Sequence, residues 1–178
     1  RGQGIHPNRK ERVAKAVYLS ILNSAKNYVY IMTPYLILDA QMSDALQFAA
    51  KRGVDVRIIL PHIPDKRTAF ALAKSHYREL LDAGVKIYEY TPGFVHAKVF
   101  LSDDIRGVVG SINLDYRSLY LHYECAAYLY KVPALTDIKA DFDDTFSKSQ
   151  LITAEDVKKQ TIFCRLLGAI LKVVAPLL

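Results

Sequence analysis

Three times between Val13 and Tyr90 the sequence passes from an apolar recurrence of helical period to a short β-branched and aromatic run stopped by proline or glycine. That rhythm restricts the possible folds more than any other feature. Val13, Val17, Ile21 and Ala25 recur every four residues, which predicts an amphipathic helix, and Tyr28–Met32 follows as a strand halted by Thr33-Pro34. Met42, Ala45, Leu46 and Ala49 mark a second helix closed by Gly53, before a strand over 54–60 that ends at Pro61. Ala69, Phe70, Ala73, Tyr77, Leu80 and Leu81 share one side of a third helix, closed by Gly84 before a strand over 85–90. Each helix has the length of a crossover between parallel strands, so a sheet with helices packed on it is implied.

The rhythm then changes. Strands over 94–101 and 105–109 are separated only by Ser102-Asp103-Asp104, which predicts an antiparallel hairpin. A further strand over 123–130 and a helix over 134–146, with Leu135, Ile138, Phe142 and Phe146 inward, complete the unit. The expected fold is α/β, a mixed β-sheet flanked by helices, forming a single domain over 1–150. Residues 151–178 are expected to add an amphipathic helix that starts at Thr153 with Glu155 and Asp156 in its first turn. Its apolar face (Ile162, Leu166, Ile170, Val173, Leu177) either docks on the domain or lies in a membrane interface, with Lys158, Arg165 and Lys172 on one side.

Hydrophobic residues make up 51% of the 178, enough for one well-cored domain, and a formal charge of +6 favours an anionic partner such as phospholipid or nucleic acid. The only cysteines, Cys125 and Cys164, sit in apolar stretches and are expected to be reduced and buried. No run of eighteen uncharged apolar residues occurs. The chain opens on Arg1 rather than methionine, so it is expected to be a piece with further sequence upstream.

Strand alternation puts Phe94, His96, Lys98 and Phe100 on one face. With a two-residue turn at Asp103-Asp104, Ser102 pairs with Ile105, His96 falls opposite Ser111 and Phe94 opposite Asn113. An imidazole, an ammonium, a hydroxyl and an amide then converge as a tetrahedral phosphoryl group requires. The lysine neutralises a non-bridging oxygen, asparagine and serine donate hydrogen bonds, and the histidine attacks phosphorus or moves a proton.

The string His96-Ala97-Lys98 to Asp103, followed after six residues by Gly110-Ser111-Ile112-Asn113, resembles the HxKxxxxD…GSxN signature of the phospholipase D superfamily. Thr33-Pro34-Tyr35, Arg52-Gly53-Val54-Asp55, Ala83-Gly84-Val85-Lys86 and Asn113-Leu114-Asp115-Tyr116-Arg117-Ser118 extend the likeness, over roughly residues 11–150, to the C-terminal half of bacterial cardiolipin synthases. The resemblance implies a site of His96, Lys98, Asp103, Asn113 and Glu124, with Ser111, Tyr35 and Arg117 as substrate contacts. Glu124 is expected to hydrogen-bond the His96 ring, and Asp103 to shape the turn rather than touch substrate. Family members join two such motifs: one histidine becomes a phosphohistidine, and the other, by position His96, serves as general acid and base. No metal or other cofactor is implied.

The implied activity is phosphatidyl transfer between two phosphatidylglycerol molecules at the cytoplasmic surface of a bacterial membrane. The implied partners are phospholipid substrate, the membrane surface, and an upstream motif-bearing half or a homodimer mate. One alternative is a nuclease or other phosphodiesterase. Aromatics buried by pattern, rather than interleaved with Lys and Arg, speak against that, and no nucleic acid is expected as a partner. A second alternative is an inactive lipid-binding module, which has no need of the histidine. His6, His62, His76 and His122 lack ligand spacing, and Asp141, Asp143 and Asp144 read as a solvated helix face.

Overall fold

The computed structural model describes residues 12–159 and Leu171. Helices α1 (Val13–Ser24), α2 (Ala40–Lys51) and α3 (Arg67–Asp82) alternate with strands β1 (Tyr28–Met32), β2 (Asp55–Pro61) and β3 (Lys86–Tyr90). Strands β4 (Val99–Ser102), β5 (Arg106–Gly110) and β6 (Ala126–Tyr130), helix α4 (Ala134–Ser147), strand β7 (Ser149–Leu151) and helix α5 (Ala154–Lys158) follow. The seven strands form one sheet in the order β6-β5-β4-β1-β2-β3-β7. Strands β1, β2 and β3 run parallel, and the remaining pairings are antiparallel. The expected mixed α/β sheet is therefore the observed one.

Period-two alternation sorts the core into two layers. Val29, Ile31, Val56, Ile58, Ile87, Phe100 and Val108 pack with the apolar faces of α1, α2 and α3. Tyr28, Tyr30, Met32, Ile59 and Leu101 point the other way, onto Leu135 and Phe142 of α4. Strand β1, covered on both sides, is buried along its whole length. Gly53 and Gly84, at φ +91° and +96°, end α2 and α3 in the left-handed conformation that glycine adopts without steric cost.

Several expectations need correction. The first hairpin strand begins at Val99, not at residue 94, so His96 and Lys98 precede the ladder. Ser102 pairs with Arg106 rather than Ile105, because Ile105 joins the turn, and the register shifts by one. Strand β6 starts only at Ala126, after a π-helical turn over Arg117–Leu121. Strand β7 was not foreseen; it runs across residue 150, and Ile152 just after it is buried in the main core. Cys125 is a free thiol as expected, but it is exposed rather than buried. Thr153 caps α5 in a full capping box with Asp156. The expected apolar face (Ile162, Leu166, Ile170, Val173, Leu177) and Cys164 lie outside the described residues; Leu171, which is not one of that set, packs near Ile37 and Leu72.

Candidate active site

The β4–β5 hairpin has two ends with different chemistry. At its tip Asp103 and Asp104 both take φ +54°, a conformation Asp tolerates better than most residues, and the Ile105 N–H donates to the Ser102 carbonyl at 3.0 Å. The Asp103 carboxylate accepts the backbone N–H groups of Lys26 (2.8 Å), Asn27 (2.9 Å) and Tyr28 (2.9 Å). Three donors at the entry to β1 are thereby satisfied by one side chain, which fixes the hairpin tip to the centre of the sheet. Asp103 thus stands at the far end of the strand from His96, in the turn-shaping place expected of it.

At the other end both strands leave the ladder and frame an open cleft of about 500 Å³, lined by His96, Lys98, Ser111 and Asn113 with Val99, Val109 and Gly110 between them. The predicted cross-strand pairing of His96 with Ser111 does not occur. The Gly110 N–H donates to the Lys98 carbonyl at 3.2 Å, so Lys98 stands opposite Gly110. The four groups meet nevertheless, because His96 and Ser111 lie beyond the paired segments, where face alternation no longer applies. Gly110 is sterically required: a Cβ there would fall 2.3 Å from the Cys125 carbonyl oxygen and 2.5 Å from the Ala126 Cα.

That close approach of β6 builds the polar wall. The Ser111 N–H donates to the Cys125 carbonyl (2.9 Å), the Cys125 N–H donates to Ser111 Oγ (3.0 Å), and the Ser111 hydroxyl donates to Glu124. Asn113 Nδ2 donates to Ser118 Oγ at 3.1 Å, while Oδ1 is buried with no partner among the described residues. With the amide turned over, the Ser118 hydroxyl would donate to Oδ1 and Nδ2 would take the buried, unpartnered position. The exposed His96 ring lies against Phe94 at 5.7 Å between centroids. Among the described residues it has no hydrogen bond, so the expected bond to Glu124 is replaced by the one from Ser111. Glu124 also has His122 Nδ1 at 3.9 Å.

Lys98 donates to the His96 carbonyl at 2.6 Å. Burial pulls its pKa below the usual lysine value, opposed by the charges of Glu124 and Asp115. Below the cleft Tyr18 stacks on Phe100 and donates to the Ile112 carbonyl at 3.2 Å. Burial, then the Glu124 charge, raises its pKa.

Tyr35 and Arg117 do not line this cleft. They face a neighbouring cavity of about 240 Å³ together with Lys66, Thr68, Asp115 and Tyr116. The Tyr35 hydroxyl donates to Asp65; burial and then that carboxylate push its pKa up to about 12. Sequence reasoning missed Lys66 and Thr68. Their one signal was position, at the start of the helix that follows the carboxyl end of a parallel strand, where open α/β sheets place ligands. His62 contacts Glu89 (2.8 Å) and His76 contacts Glu79 (2.7 Å), while His6 lies outside the described residues. Asp143 and Asp144 pair with Lys139 and Lys148 one turn away, and among the described residues no group of three His, Cys, Asp or Glu could hold a metal ion.

Residues 18–146 match the family described as cardiolipin synthase, PLD-like domain. An uncharacterized protein of Streptococcus mutans serotype c is 62% identical over 172 residues, 97% of this chain and 37% of that protein. Cardiolipin synthase 2 of Bacillus cereus is 38% identical over 172 residues, 97% of this chain and 34% of that enzyme. The chain therefore spans about a third of the length of the curated relatives it matches. Among solved structures, Nuc from Salmonella typhimurium, a phospholipase D family member, superposes with a TM-score of 0.70 at 22% identity, covering 82% of this chain and 94% of Nuc. Phosphatidylserine synthase of Haemophilus influenzae gives 0.74 at 17% identity, covering 99% of this chain and 46% of that one. These two likenesses concern the fold.

Proposed function

Because the chain belongs to the phospholipase-D-like domain family of cardiolipin synthases, we propose that it supplies one half of a phosphatidyl-transfer site, in an enzyme that makes cardiolipin and glycerol from two phosphatidylglycerol molecules. The observation that carries this reading is the convergence of His96, Lys98, Ser111 and Asn113 on one open cleft. The nucleophile is the histidine of a second motif, which attacks phosphorus while His96 gives its proton to the departing glycerol oxygen. His96 then takes the proton of the incoming hydroxyl, whose oxygen attacks phosphorus as the phosphorus–nitrogen bond breaks. Lys98 and Asn113 hold non-bridging oxygens, a preorganised positive wall where charge develops.

The complementary half is proposed to seat beside the cleft. Val109, a cleft wall, is 39% exposed, and Tyr128 and Tyr130 on the outermost strand β6 are each 51% exposed. That strand has a sheet neighbour on one side only, so its outer edge is open to a partner. The formal charge of +6 suits an anionic lipid surface. Among the described residues no helix is long and apolar enough to cross a membrane, so the domain is proposed to work at the surface.

Cleavage of nucleic-acid phosphodiesters by the same chemistry is the second reading, and one observation favours it. The expectation that aromatics are buried fails on β6, where Lys131 Nζ lies 5.3 Å from the Tyr130 ring centroid, a combination on which bases stack. Incubating the full-length enzyme with phosphatidylglycerol vesicles and, separately, with single-stranded DNA decides between them. Cardiolipin and glycerol should appear, and His96→Asn should slow their formation by roughly 10²- to 10⁴-fold without unfolding the protein. Cut DNA without cardiolipin would refute the lipid reading.

A further inference from the structure

The cavity next to the catalytic cleft has no part in the phosphoryl chemistry, yet it is charged, walled and adjacent. It is assembled from three segments: residues 35–37 after β1, residues 66–69 at the start of α3, and residues 115–117 just past the second motif segment. The first two leave the carboxyl ends of adjacent parallel strands, where open α/β sheets bind ligands. Ile37, Ala69 and Tyr116 make its apolar wall.

Its charges are unevenly committed. Asp115 is 8% exposed, and its carboxylate accepts the Ser118 N–H at 2.7 Å, so it is already used to hold the loop. Asp65, just outside, accepts the Tyr35 hydroxyl. Among the described residues Lys66 and Arg117 have no ion pair; Lys66 Nζ merely lies 5.6 Å from the centre of the Tyr35 ring. Two cations and the Thr68 hydroxyl therefore face the cavity against a single buried carboxylate, a donor set suited to an oxyanion.

The cavity and the cleft are close neighbours. Asn113 lines the cleft and Asp115 lines the cavity, and two residues of extended chain reach at most about 7 Å. In phosphatidylglycerol a three-carbon glycerol separates the phosphate from the free terminal hydroxyl, a span of the same order. We propose that the cavity between Lys66 and Arg117 seats the phosphate of the acceptor, so that the acceptor's hydroxyl reaches the phosphohistidine beside His96. The site then selects an alcohol that already carries a phosphate over water or a neutral alcohol. This assignment rests on the phosphatidyl-transfer reading, since only a transferase needs an acceptor subsite.

The test uses the full-length enzyme with phosphatidylglycerol in mixed micelles and labelled glycerol in one reaction. Cardiolipin reports transfer to an anionic lipid acceptor, and label entering phosphatidylglycerol reports transfer to a neutral one. A parallel reaction offers glycerol phosphate, which carries the anion without the lipid. In Lys66→Gln and Arg117→Gln the ratio of cardiolipin to exchanged label should fall about tenfold or more, the loss of one charge-assisted contact, and transfer to glycerol phosphate should fall with it. Lys66→Arg should restore most of the ratio. An unchanged ratio in variants of an active enzyme overturns the subsite alone, as does a loss confined to the lipid acceptor. A wild-type enzyme that yields neither product overturns the transferase reading, and the subsite with it.

Discussion

Replacing Asp103 by alanine should damage the fold and spare the chemistry, although Asp103 belongs to the signature as fully as His96 does. Its carboxylate accepts three backbone N–H groups. The Tyr28 N–H is partly buried, and losing a charged acceptor there costs about 2 kcal/mol. The Lys26 and Asn27 donors are exposed, so water replaces the carboxylate and each loss is nearer ~0.5 kcal/mol. Alanine at φ +54° adds roughly 1 kcal/mol of strain that Asp tolerates better. The sum is about 3–4 kcal/mol. Urea unfolding of wild type and Asp103→Ala measures it as a lower midpoint at unchanged slope. Asp103→Asn, which tolerates the same φ and keeps one acceptor oxygen, should lose roughly half as much. Activity of the full-length variant, assayed well below its melting temperature, should stay within a fewfold of wild type. A destabilisation under about 1 kcal/mol, or a loss of turnover as deep as that of His96→Asn, would show that Asp103 acts on substrate and not on the turn.

Gly110→Ala should destabilise by about 1–3 kcal/mol, because the new methyl meets the backbone of Cys125 and Ala126; thermal unfolding reads it. Glu124→Gln removes a charge that raises the Lys98 pKa, already lowered by burial, so Lys98 should lose its proton at lower pH. The alkaline limb of the kcat/KM profile should move to lower pH accordingly, and an unmoved limb would remove Glu124 from the electrostatics of the cleft. Asp39 caps α2 through the Met42 N–H and pairs with buried Lys15 at 2.7 Å. Burial raises its pKa, but the bonds from Lys15, Tyr120 and Met42 outweigh it, and the folded value lies below the ordinary one. Its stabilisation is therefore complete above about pH 4 and lost as pH falls through the folded value. Asp39→Asn should cost about 2–3 kcal/mol at neutral pH by leaving the Lys15 charge with only the neutral Tyr120 hydroxyl and amide oxygen, and should flatten the acid limb of stability against pH.

The elements written most plainly in the sequence were those with both a period and a stop. Tyr28–Met32 ended where Thr33-Pro34 said it would, and α2 and α3 ended before Gly53 and Gly84. Strand β7 carried neither signal: Ser149-Gln150-Leu151 is short and polar, and it exists because β3 offers it an edge. The hairpin register was missed by one residue because two left-handed aspartates can close either a two- or a three-residue turn, and only packing against β1 and β6 selects one. The motif residues were legible because the spacing survives in the chain whatever the register. The Glu124 bond to Ser111 and the Lys66–Arg117 cavity were not, since each joins loops whose approach depends on the finished sheet.

Four residues separate Lys98 from Asp103, and they are the four residues of β4. The gap in the signature is thus a ruler: one end carries Lys98, proposed to hold phosphate, the other the carboxylate that bolts the hairpin to the sheet. A residue added or removed between them would turn Phe100 out of the main core and Leu101 out of the layer under α4, since neighbouring strand residues face opposite ways. Chain length can vary without this penalty where no such bolt exists, as at Pro92-Gly93 between β3 and His96. Tolerance to insertion should accordingly differ sharply across His96, permissive before it and near zero between Lys98 and Asp103.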